Sequence, residues 1–286
     1  MSQHSHAEIL SVFANIVTEH VAALRDALIK LGEPGASDED LHQFRVTLRR
    51  LRSAWVTFAP VLPRAFITEW KPRLRTLAGA TGPVREWDVL ITDWLPAAQA
   101  VLSEGDEAGR AWLAAAIERA KQARHLAWQT LRVELASPSV MNALTELEGG
   151  VAAFRLSSKP PRLAGFAHAR AAALRKKVLR RGRHPKRATA ARLHRARIAA
   201  KQWRYLYEAF YPALGARAAK RYRKHLRKLQ DALGEIHDAS VSLERVVSLA
   251  NEAPPDSVVN AFHMRARAAR VCTAKGLRWM RGHAAV

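Results

Sequence analysis

The strongest constraint on this chain is a single internal register: slid against itself by 152 residues, it aligns without a gap over two blocks. LHQFRVTLRRLRSAWVTFAPVL (41–62) lies over LHRARIAAKQWRYLYEAFYPAL (193–214), with identities at Leu41/Leu193, His42/His194, Arg45/Arg197, Arg52/Arg204, Phe58/Phe210, Pro60/Pro212 and Leu62/Leu214. LRTLAGATGPVREWDV (74–89) lies over LRKLQDALGEIHDASV (226–241), with identities that include Leu74/Leu226, Arg75/Arg227, Leu77/Leu229 and Gly82/Gly234. Chance does not hold one register from residue 41 to residue 89. The chain therefore reads as a duplication within one domain: an N-terminal helical repeat over 1–135, a linker helix and linker over 136–162, and a C-terminal helical repeat over 163–286.

Each copy carries the same helix punctuation. Ser37 and Thr189 are N-cap types placed just before the first block, and Asp38, Glu39 and Asp40 put negative charge where the helix dipole favours it. Pro60 and Pro212 end that helix, and Gly82 and Gly234 mark the end of the next. The expected helices are 5–31, 39–59, 64–80, 84–102 and 107–133, then 138–155, then 162–181, 190–210, 215–233, 236–252 and 256–281, with a Ser/Lys/Pro linker at 156–162. No segment alternates like a strand. The expectation is an all-α fold of two homologous antiparallel helical bundles related by a pseudo-twofold axis.

Helical geometry then sorts the side chains. At 100° per residue from His42, Arg45, Arg49 and Arg52 fall at roughly 300°, 340° and 280°. Leu41, Phe44, Leu48, Leu51, Trp55 and Phe58 form an apolar stripe beside them, so the cations border the core instead of opposing it. His194, Arg197, Lys201 and Arg204 take the same angles in the second copy, beside Leu193, Ala200, Trp203, Tyr207 and Phe210. The following helix adds Arg75 and Arg227, with Lys71 and Arg223 one turn earlier. Pro72 predicts a helix start or kink beside Lys71, and Gly79 a break where the second copy has Asp231. Neither stripe contains a carboxylate, which argues against internal ion pairing.

Charge adds a second asymmetry. Of the formal net charge of +22, residues 1–152 carry −2 (16 Lys and Arg, 18 Asp and Glu) and residues 153–286 carry +24 (31 and 7). Such a field gathers polyanions without naming one. One cysteine, Cys272, excludes an intramolecular disulfide and fits a reducing compartment. The start of the chain lacks the basic and small-residue features of a secretory signal, and no apolar run spans a bilayer. The expected setting is cytoplasmic, with no membrane partner.

The blocks LHQFRVTLRRLRSAW and LHRARIAAKQWRYLY, with LAGATGPVREWDV and LQDALGEIHDASV, resemble the CHAD family, the conserved-histidine α-helical domain, over nearly the whole chain. The resemblance implies two four-helix bundles around a basic central cavity, non-catalytic binding of inorganic polyphosphate, and association with polyphosphate granules and their proteins. Carried over by position, it implies contacts from His42, Arg45, Arg49, Arg52 and Arg75, and from His194, Arg197, Lys201, Arg204 and Arg227. Ionised phosphates without bases ask only for dense, well-spaced cations, which fits these stripes.

Two other readings compete. The basic run 170–187 (RAAALRKKVLRRGRHPKR) suits a nucleic-acid backbone, but no zinc-finger spacing, aromatic RNA-binding motif or heptad-linked basic region accompanies it, so nucleic acid is expected to be secondary. A polyphosphate-metabolising enzyme, or its accessory subunit, would need a carboxylate cluster for metal, a nucleophile or a Gly-rich loop. Glu86, Asp88 and Asp93 are the best acidic group, and ion pairs with nearby cations are their expected role. His4 and His6 belong to the terminus and carry no site. No catalytic residue, metal or cofactor is assigned.

Overall fold

The computed structural model describes residues 3–152, 154, 164–210, 214, 216–249 and 252–283. The chain is all-α, with no strand among the described residues. In order run α1 (Gln3–Gly32), α2 (Asp38–Phe58), α3 (Arg64–Ala80), α4 (Gly82–Val89), a π-helical turn (Leu90–Trp94), α5 (Leu95–Val101), α6 (Glu107–Leu135), α7 (Pro138–Ala152), α8 (Ala164–Arg181), α9 (Ala190–Ala209), α10 (Ala216–Leu249) and α11 (Asp256–Gly282). The Ser/Lys/Pro linker and Pro212 lie outside the described residues. Among the described residues, no helix is long and apolar enough to cross a membrane.

The expected caps form. Ser37 and Asp40 make a reciprocal capping box at the start of α2. Thr189 accepts from the Arg192 amide at 3.3 Å at the start of α9. Three expected breaks do not form. α3 runs unbroken through Pro72 and Gly79, because Trp70 and Leu74 are buried on one face and anchor the helix on both sides of the proline. Gly234 sits inside α10, which spans 34 residues where two helices were expected. Buried Leu226, Leu229, Leu233 and Ile236 carry one apolar face straight past it. The π-turn has a local cause: Pro96 lacks the N–H its turn would use, and the Leu95 amide reaches back to the Leu90 carbonyl instead.

The fold divides into two compact units. One comprises the described residues of Met1–Thr81, Gln129–Arg170 and Tyr205–Gly215. Its core is aromatic: the Phe13 ring lies 5.0 Å from Trp55 and 5.3 Å from Phe58, and Phe58 lies 5.5 Å from Phe210. Arg25 bonds Glu148 at 2.6 Å and Arg73 bonds Glu146 at 2.6 Å, tying α7 to α1 and α3. The other comprises the described residues of Gly82–Trp128, Ala171–Arg204 and Ala216–Val286. Trp87, Leu90, Trp94, Leu113, Val246 and Phe262 form its core, with Trp94 stacked on Phe262 at 5.2 Å.

Candidate functional site

In the first unit the stripe stands on α2 and α3. Its apolar border is as expected: Leu41, Phe44, Leu48, Leu51, Trp55 and Phe58 are all buried. His42 is exposed at the head of α2. Arg45 is half-buried and donates from Nη1 to the Thr81 carbonyl and, at 2.6 Å, to Thr81 Oγ1, which fastens α2 to the end of α3. Arg49 is half-buried, with its guanidinium 5.9 Å from the Tyr205 ring and no hydrogen-bond partner for its buried Nε among the described residues. Arg52, Lys71 and Arg75 are exposed and make no ion pair among the described residues. Packing around the Arg52 guanidinium, and after it the charge of Arg75, lower the Arg52 pKa from its ordinary value.

In the second unit the stripe is more enclosed. His194, Arg197, Lys201 and Arg204 are half-buried on α9, whereas Arg223 and Arg227 are exposed on α10. The His194 ring lies 4.1 Å from that of His237, and its buried Nδ1 has no hydrogen-bond partner among the described residues. Burial lowers the His194 pKa, helped by Arg197, Lys201 and Arg195. Burial, then His194, Arg197 and Lys201, push His237 down to about 4. Burial and a row of fixed cations thus disfavour protonation of both imidazoles.

This arrangement corrects one expectation. The second stripe carries no carboxylate in sequence, but α10 brings Asp238 to 3.7 Å from the Arg197 guanidinium. Burial raises the Asp238 pKa, against the opposing pull of Arg197, Lys201 and Arg85. His237 was also missed, although the 152-residue register places it opposite Arg85, a further matched pair of basic types. Two members of the acidic group pair as expected, whereas Asp93 makes no ion pair among the described residues and offers only its backbone carbonyl, to Arg265. Glu86 pairs with Arg245, and Asp88 with Arg124 at 2.7 Å. No group of His, Cys, Asp and Glu among the described residues could hold a metal ion.

Much of the arginine is structural. Arg132 caps α1 by donating to the Gly32 and Glu33 carbonyls at 3.1 and 3.0 Å. Arg170 reaches the Val56 carbonyl at 2.8 Å, and Arg175 reaches the Met280, Arg281 and His283 carbonyls at the end of α11. A cation at a helix C-terminus satisfies carbonyls that the helix cannot, so overall charge overstates what is available to a ligand.

The chain is thus an all-α domain with histidine-headed cationic faces at matched positions on α2 and α9. Residues 13–247 match the CHAD domain, and the chain belongs to that family, one of binding domains associated with polyphosphate. Among solved structures it is similar to the crystal structure of the CHAD domain from the plant Ricinus communis, at 26% identity and a TM-score of 0.73, covering 97% of this chain and 93% of that one. It also shares its fold with PptA from Streptomyces chartreusis, at 16% identity and a TM-score of 0.66, covering 97% and 99%. No curated protein matches the chain.

Proposed function

We propose that the protein binds inorganic polyphosphate without turning it over, through a basic, histidine- and arginine-lined cavity surface, and associates with polyphosphate granules in the cytoplasm. The contacts are His42, Arg45, Arg49, Arg52, Lys71 and Arg75 from one copy, and His194, Arg197, Lys201, Arg204, Arg223 and Arg227 from the other. The observation that carries this reading is the recurrence of histidine and cation at matched positions on α2 and α9, with Arg52, Lys71 and Arg75 left exposed and unpaired among the described residues. Arg45 both contacts the chain and holds α2 to α3.

The proposed relation between the copies is a pseudo-twofold axis joining the repeats 1–135 and 163–286. Phe58 and Phe210, matched by the 152-residue offset, pack at 5.5 Å, as counterparts near such an axis do. Membership of a polyphosphate-associated family favours this ligand over nucleic acid.

The test is a competition titration of polyphosphate against single-stranded and duplex DNA at ~0.15 M salt, where long-range attraction is screened. Polyphosphate is expected to win by at least ~tenfold, about 1.4 kcal/mol. Equal or tighter DNA binding would transfer the assignment to nucleic acid.

A further inference from the structure

The proposed site leaves the basic run 170–187 unused. No carboxylate occurs between Glu148 and Glu208, and near the middle of that stretch lies the turn from α8 to α9. Arginines on the neighbouring helices build the turn. Arg192 donates from Nε to the Arg181 carbonyl at 3.1 Å and from Nη2 to the Arg180 carbonyl at 3.2 Å, capping α8. Arg270 on α11 donates from Nη1 to the Pro185 and Ala188 carbonyls, both at 2.8 Å. His184 sits in the left-handed region at φ 53°, and its carbonyl accepts from the Arg187 and Ala188 amides at 3.1 and 3.0 Å. Gly182 allows the close approach of α8 to α11, since a Cβ there would lie 2.7 Å from Leu277 Cδ1.

Lys186 and Arg187 have no such work. Both are exposed, make no ion pair among the described residues, and line a 520 Å³ depression with His184 and Arg192. Neither a carboxylate nor an aromatic ring other than that imidazole lines it. Cations on a braced turn, without stacking platforms for bases, suit a bare phosphate chain better than single-stranded nucleic acid. The depression also faces away from the stripe: at 100° per residue, Arg192 stands about 160° around α9 from His194.

We propose that the α8–α9 turn is a second phosphate-chain site, independent of the stripes, which lets one molecule hold two segments of polyphosphate and so cross-link the polymer. The identity of the chain rests on the polyphosphate reading above. Two linked contacts raise avidity and join strands without any further interface.

Calorimetry with a short linear oligophosphate on the full chain tests this, using Lys186→Gln/Arg187→Gln, Arg52→Gln/Arg75→Gln and the charge-preserving Lys186→Arg/Arg187→Lys. The neutralised turn should bind one equivalent fewer than the unmodified protein, the charge-preserving variant should restore it, and the Arg52/Arg75 variant should keep it. Light scattering with long-chain polyphosphate should fall in the neutralised turn variant alone of the two turn variants. Full stoichiometry with undiminished scattering in that variant overturns the second site while leaving the stripe reading standing. Loss of single-stranded DNA binding with every oligophosphate equivalent retained overturns it too, by making the turn a nucleic-acid contact. An unmodified protein that binds no oligophosphate defeats the polyphosphate reading itself.

Discussion

His42 and His194 occupy matched positions and meet different surroundings: one is exposed, while the other is half-buried against His237. The pH consequence follows from His237. Its folded pKa, about 4, lies below the ordinary 6.5, so the unfolded chain binds more protons between those values. The stability this neutral ring contributes is present above the ordinary value and is lost as pH falls toward the folded one. Acidification from pH ~7 to ~5 should therefore destabilise the unmodified protein by about 1 kcal/mol more than His237→Gln, allowing for the ring's partial exposure. Urea unfolding of both proteins at each pH measures the difference, and equal losses would remove the imidazole pair from the account. Ligand binding runs the other way. A phosphate beside His194 offsets Arg197 and Lys201 and favours protonation, so affinity should rise from pH ~7.5 to ~6 and flatten in His42→Ala/His194→Ala. The cations and paired histidines were legible because they repeat in register. The contact of Arg197 with Asp238 was not, because it joins residues of two different helices and neither stripe contains it.

At the scale of elements, capping residues and apolar periodicity located the helices closely: α2 was expected at 39–59 and runs Asp38–Phe58, and α9 was expected at 190–210 and runs Ala190–Ala209. The three breaks that do not form share one physical reason, whereas the helix expected at 84–102 is divided by the π-turn before Pro96. Proline and glycine cost a helix a bounded amount, and burial of the flanking residues outweighs it. Trp70 and Leu74 hold α3 across Pro72. The proline penalty is then still present in the fold, since the ring removes a backbone donor in the helix interior. Pro72→Ala should stabilise the protein by about 1 kcal/mol, less than the full helix-interior penalty because proline also restricts the unfolded chain. Thermal unfolding would show it as a raised midpoint. An unchanged or lowered midpoint would mean that α3 is locally arranged to fit the proline.

For the whole molecule, net charge and its confinement to residues 153–286 suit a polyanion partner but do not pick out the cations that would meet it. Folding commits Arg132, Arg170, Arg175, Arg192 and Arg270 to backbone carbonyls, a use that composition cannot reveal. Polyphosphate affinity should still fall linearly on a log–log plot against salt, since bound phosphates release counterions. The central claim is narrower: affinity at the proposed histidine- and arginine-lined site resides in the stripes and not in the field. Arg52→Gln/Arg75→Gln and Arg278→Gln/Arg281→Gln each remove two exposed cations, the first pair from the stripe and the second from α11. Charge-assisted phosphate contacts contribute ~1.5–3 kcal/mol each, so the stripe variant should bind polyphosphate at least ~tenfold more weakly at ~0.15 M salt. The α11 variant should keep nearly full equilibrium affinity and lose mainly association rate. Equal weakening of the two variants, with circular dichroism unchanged in both, would contradict the account and leave only diffuse electrostatic attraction.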